Sequence, residues 1–155
     1  MPSVSLYFQV HQPYRLKKYT IFDAEHDQQY FDEAKNREIM QKVAAKCYVP
    51  TNKLLLELIH QHRGKFRVAF SITGTAMEQF AKYAPEVLAS FRQLALTGCV
   101  EFLGETYAHS VSSLFDEAEF TAQVKKHNEL MLDHFDYQPT TLRNTELLYA
   151  NRVAE

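Results

Sequence analysis

Four short segments carry the side chains best suited to chemistry: His11-Gln12-Pro13, Ser71-Ile72-Thr73-Gly74, Glu101 with Gly104-Glu105-Thr106-Tyr107-Ala108-His109-Ser110, and Arg143-Asn144-Thr145-Glu146. Each follows an apolar run, so each group is polar where the chain before it is not. Glu146 has Arg143 and Asn144 just before it, and a nearby guanidinium keeps a carboxylate ionised, as a nucleophile requires. The same four residues also suit the start of a surface turn or helix. Glu101 lies inside an apolar run, so it needs partners, which a ligand or a salt bridge supplies equally well. His11 and His109 fit either a ligand pocket or a hydrogen-bonded core position.

These segments must be held by strands. The runs Val4 to Val10, Phe66 to Ile72, Cys99 to Leu103 and Thr140 to Thr145 are β-type, with helical patterns between them. Pro50 opens one helix, in which Leu54, Leu55, Leu58 and Ile59 form an apolar stripe before Gly64 stops it. Pro85 opens a second, with Leu88, Phe91, Leu94 and Ala95 on one face and Gly98 at its end. Asp116 is placed to cap a third, with Phe115 set to staple onto Phe120, and Phe120, Val124, Met131 and Phe135 forming its buried face. Alternation of strand and helix with crossover-length connections predicts an α/β fold with a parallel sheet. Residues 14 to 49 are a polar and aromatic excursion whose clear element is a helix over roughly Phe31 to Ala45. In such folds, functional groups gather where strands end.

Composition removes several classes of function. Seventeen Lys and Arg against nineteen Asp and Glu give a net charge of -2 without blocks, which is no footprint for nucleic acid or an anionic membrane. Cys47 and Cys99 lie far apart in apolar company and read as reduced core thiols. His60 and His62 face apart on their helix, and His127 and His134, seven apart on a later helix, read as the boundary face of that helix. There is no HExxH, no phosphate-binding glycine loop and no G-x-S-x-G elbow, so neither metal nor other cofactor is expected. No segment approaches the ~18 apolar residues of a membrane span, and Met1-Pro2-Ser3-Val4-Ser5-Leu6 lacks the features of a signal peptide, so a cytoplasmic location is expected.

Taken together, His11-Gln12-Pro13, Gly98-Cys99-Val100-Glu101 continuing through Ser110, and Arg143-Asn144-Thr145-Glu146-Leu147-Leu148-Tyr149 resemble, in order, the first three conserved regions of glycoside hydrolase family 57. These are α-amylase-like retaining enzymes acting on α-glucans. The resemblance implies a parallel (β/α) barrel of the seven-fold type, with Glu146 as the nucleophile and His11, Glu101 and His109 binding sugar. Its substrate would be an α-glucan or maltooligosaccharide.

The family's acid/base is an aspartate in a fourth region, which these residues do not reach. Asp23, Asp27, Asp32, Asp116, Asp133 and Asp136 all fall in the excursion or on helix positions, and Glu105 is the conceivable substitute. Retaining glycosidases need two carboxyl groups roughly 5–5.5 Å apart. Residues 1–155 are therefore expected to be the N-terminal part of one barrel domain, with about four strands present and a C-terminal remainder completing it. A non-catalytic, carbohydrate-binding half barrel is the alternative, and a metal-dependent deacetylase on a similar barrel is disfavoured by the missing ligand spacing. Tyr14, Tyr19 and Tyr107 are candidates for stacking on sugar rings.

Overall fold

A computed structural model describes residues 4–23 and 29–154; Met1-Pro2-Ser3 and Asp27, which enter the sequence reading, lie outside the described residues. Three parallel strands, β1 (Tyr7–Val10), β2 (Val68–Ile72) and β3 (Val100–Leu103), form one sheet in the order β1-β2-β3. Val68, Phe70 and Ile72 alternate on one face of β2 and are buried, as are Val100 and Phe102 of β3. Helices pack on that face, α4 and α5 touching it through aromatic rings. The helices are α1 (Glu33–Val43), α2 (Val49–Gln61), α3 (Gly74–Tyr83), α4 (Pro85–Leu96), α5 (Glu117–Phe135) and the short α6 (Asn151–Ala154).

The core between sheet and helices is largely aromatic. Phe70 meets Phe91 of α4 edge-on at 5.3 Å, and Phe102 stacks on Phe135 of α5 at 5.1 Å with an interplanar angle of 2°. Each such ring removes a large apolar area from water, so these contacts hold α4 and α5 to the sheet.

The register sets the levels of the opposite face. Tyr7, Ala69 and Glu101 are aligned, as are Gln9, Ser71 and Leu103. With side chains alternating along a strand, His11, Thr73 and Glu105 continue that face beyond the strand ends.

Several expectations are corrected. The run 140–145 makes a single parallel bridge, Leu142 to Gly104, in place of a fourth strand. The chain turns away because Asn144 satisfies its own surroundings: its side chain accepts from Thr145 N–H and donates to Ser113 and Leu148. Helix α3 follows β2 directly, where the sequence reading has only a strand end; Thr73 caps it by accepting from Ala76 N–H. Helices α1 and α2 run on through a π-helical stretch, Ala44–Tyr48. Pro50 has no N–H to give the usual i−4 bond, and the ladder just before it shifts to the longer i−5 pairing of Val49 with Ala44.

Leu54 is 54% exposed, outside the buried stripe of Leu55 and Ile59, and Cys47 is an exposed thiol while Cys99 is buried. Asp116 does cap α5, accepting from Glu119 N–H at 3.0 Å, but Phe115 points to solvent at 75% exposure and makes no staple. His127 is fully buried, with Nε2 2.9 Å from the carbonyl of Ile72. It ties α5 to the end of β2.

Candidate active site

Beyond the ends of the three strands, four side chains converge. His11 follows β1 directly, and its Nδ1 is 3.1 Å from Oγ1 of Thr73, the α3 cap. Its ring stacks on His109 with centroids 4.4 Å apart. Burial lowers the His11 pKa, and neighbouring His109 lowers it further, with Glu146 opposing. His109 has Nε2 3.2 Å from Oε1 of Glu146 and Nδ1 3.5 Å from Oε2 of Glu105. The amide nitrogen of Gln9 lies 3.3 Å from both ring nitrogens.

The loop that carries His109 is anchored along its length. Tyr107 lies against Gly74, where a Cβ would come within 2.2 Å of a ring carbon, and its hydroxyl donates to Glu78 of α3. Tyr14 of the excursion donates to the other oxygen of Glu78, so one carboxylate holds both segments. Ala108 N–H donates to Gln123 of α5, and Thr106 Oγ1 is 2.7 Å from Thr145 Oγ1. That last contact fixes the His109 loop against the residue preceding Glu146. Both His109 and Glu146 have left-handed backbones, φ 57° and 53°, a conformation that costs an ordinary residue about 1–3 kcal/mol and persists where the surroundings enforce it.

The two carboxyl groups differ sharply in environment. Glu146 follows buried Asn144 and Thr145 yet has a side chain 70% exposed, so it is accessible from solvent on a fixed support. Glu105 has no exposed surface, and its Oε1 has no hydrogen-bond partner. Burial pushes its pKa up to about 7, against the pull of His109, Ser71 and Arg143. Arg143, read in the sequence as the cation for Glu146, stands over the Tyr7 ring at 5.3 Å and acts on Glu105.

His11, His109 and Glu146 are thus brought together, and Glu101 is not. Glu101 sits level with Tyr7 and Ala69, four residues and roughly 13 Å of extended chain before Glu105. It accepts a 2.8 Å bond from Thr141 and borders a separate groove with Leu6, Arg67 and Cys99. Gln9 is a site residue the sequence reading missed, and the two-residue alternation that puts Gln9 and His11 on one face was the available signal; Thr73 stands in a strand-end segment to which that reading gives no role. Asp32 and Asp116 are helix caps, Asp136 ends α5, and Asp23 accepts from Thr20. Among the described residues, no group of three or more His, Cys, Asp and Glu could hold a metal ion, and no helix is long and apolar enough to cross a membrane.

The fold and site define an α/β protein whose imidazoles and carboxyl groups gather beyond the carboxyl ends of parallel strands. The family model described as Glycosyl hydrolase family 57 matches residues 5–155, and the chain belongs to that family. A curated relative from Methanocaldococcus jannaschii, named "Putative alpha-amylase", is 42% identical over 159 aligned residues covering 98% of this chain and 32% of the relative. The chain therefore spans about a third of that relative's length.

Solved structures share the fold. The 4-alpha-glucanotransferase of Thermococcus litoralis superposes with a TM-score of 0.70 at 14% identity, covering 96% of this chain and 20% of that one. The GH57-type branching enzyme of Pyrococcus horikoshii gives 0.61 at 17% identity, covering 92% and 34%. The alpha-amylase AmyC of Thermotoga maritima gives 0.62 at 15% identity, covering 97% and 37%.

Proposed function

We propose that these residues form the first part of a seven-fold (β/α) barrel in a retaining glycoside hydrolase or transglycosidase acting on α-glucans, with Glu146 as the nucleophile. The observation that carries this reading is the accessible Glu146 carboxylate set 3.2 Å from His109, which stacks on His11. An α-glucan substrate is supported by family membership and by the amylase, glucanotransferase and branching activities in the names of the similar proteins. Exposed, unpaired Cys47 suits a reducing compartment such as the cytoplasm.

In this mechanism Glu146 attacks the anomeric carbon as the leaving oxygen takes a proton, giving a glycosyl-enzyme that water or an acceptor sugar then resolves. His11 and His109 line the sugar subsite, with ring faces for apolar contact and nitrogens for hydroxyl groups. Glu105 is buried on the far side of His109 from Glu146, away from any leaving oxygen, so the acid/base role falls to a carboxyl group outside residues 1–155. Glu101 has no part in this site.

Kinetics on maltooligosaccharides test the reading. In the complete enzyme, Glu146→Gln should lower kcat by several orders of magnitude with the fold retained, because no neighbour replaces a nucleophile. The 155-residue chain by itself should release no reducing sugar. Sugar binding by the complete protein with no turnover before or after the substitution would favour the carbohydrate-binding alternative.

A further inference from the structure

Among the described residues, Glu105 is the only carboxyl group that is buried, and its contact with the site runs through one ring. His109 stands between two carboxyl groups, Nδ1 towards Glu105 and Nε2 towards Glu146. A neutral imidazole has a single N–H. If both carboxyl groups were ionised, that N–H would serve one of them and the bare nitrogen lone pair would face the other. A proton on Glu105 removes the conflict without charging the ring, since Glu105 then donates to Nδ1 and Nε2–H donates to Glu146.

We propose that Glu105 is a positioning residue for Glu146: its buried carboxyl group holds a proton against Nδ1 of His109 and so fixes the tautomer whose Nε2–H holds the Glu146 carboxylate in place. The surroundings favour the neutral form. Glu105 has no exposed surface and its Oε1 lacks a donor, and an ionised carboxylate is costly there. The groups that face the link are Tyr7, Gln9 and His11 from the β1 side, Ser71 from β2, Arg143 and Glu146 from the segment after α5. Arg143 is the one fixed positive charge among them and limits how tightly the proton is held. When Glu105 ionises, the imidazole proton moves to Nδ1, and Glu146 loses its donor and gains a facing lone pair.

The role rests on the reading of Glu146 as nucleophile, but its test does not. The full chain, labelled with 15N in histidine and 13C in the glutamate carboxyl groups, is titrated from about pH 5.5 to about pH 8.5, and the nitrogen shifts report the His109 tautomer. The Glu105 carboxyl should titrate near neutrality, and His109 should pass from Nε2–H to Nδ1–H in step with it. In Glu105→Gln, whose amide can donate to Nδ1 whenever the ring is neutral, the neutral His109 ring should stay Nε2–H. Carboxyl titration with unmoved His109 shifts, or an unchanged tautomer switch in Glu105→Gln, overturns the proposal, and the wild-type titration decides it even if the variant fails to fold. A switch lost in Glu105→Gln in a protein that stays fully active as Glu146→Gln upholds the proton link and refutes the nucleophile reading instead.

Discussion

The imidazoles of His11 and His109 stack at 4.4 Å, although they follow β1 and β3, which are separated in the sheet by β2. The contact exists because the loop after β3 bends back over the end of β2. The Tyr107 ring packs against Gly74, and the Tyr107 carbonyl accepts from Thr75 N–H at the start of α3. A residue two positions further on, His109, is thereby delivered to His11.

Gly74 is the spot where this arrangement has no slack. A Gly74→Ala methyl group would come within 2.2 Å of the Tyr107 ring, so the ring must move and its bond to Glu78 is disturbed. A loss of about 1–3 kcal/mol in denaturant unfolding is expected from such overpacking, with the His11 and His109 resonances both displaced. Unchanged stability would show that the loop is held by something other than this seat.

His127 anchors α5 from inside the core. His127→Ala should cost about 1–3 kcal/mol, chiefly by leaving the Ile72 carbonyl without its buried donor. Burial lowers the His127 pKa, so the unfolded chain takes up the proton first as pH falls, and this group's contribution is lost between the ordinary histidine range and its lower folded value. Unfolding curves for the wild type should therefore show an acid-side loss that is smaller in His127→Ala. Equal losses would mean that His127 is not neutral in the folded state.

Glu105 acts in the opposite sense. With its pKa raised to about 7 from an ordinary 4.5, its contribution is fully present below about pH 4.5 and is lost as pH rises through 7. The penalty at pH 8 is on the order of 3 kcal/mol. Glu105→Gln should be more stable than the wild type at pH 8 and lose that advantage at pH 4.5. A stability difference independent of pH would place the Glu105 proton elsewhere.

The strand positions were legible because alternating apolar residues and the turn residues after them leave little choice of period. Three strands fall within the expected runs, and His11, His109 and Glu146 converge as their places at strand ends imply. What could not be read depends on register and level. Glu101 and Glu105 lie on the same face of one extended segment, and only the alignment of Glu101 with Tyr7 and Ala69 shows that Glu105 is the one beyond the strand ends. Arg143 is near Glu146 in sequence but serves the Tyr7 and Glu105 side, because the backbone turns at Asn144. His127 has the helix spacing of a boundary residue, and only the seating of α5 against the sheet, with the Ile72 carbonyl 2.9 Å from its Nε2, makes it a core donor.

That difference in level gives a sharp contrast between the two carboxyl groups of β3 and its loop. Glu101→Gln keeps the bond from Thr141 and lies far from the His109 cluster, so kcat/KM of the complete enzyme should stay within about threefold of wild type, roughly 0.6 kcal/mol. A loss beyond about tenfold would return Glu101 to the sugar site.

The nucleophile assignment is tested most directly by trapping the intermediate. Treatment of the complete enzyme with an activated fluoro-sugar, which forms the glycosyl-enzyme faster than it is released, followed by peptide mass spectrometry, should place one glycosyl group on the peptide containing Asn144-Thr145-Glu146, with the ester on Glu146, and no label in Glu146→Gln. A label on any other residue, or near-normal turnover by Glu146→Gln, would contradict the proposed mechanism.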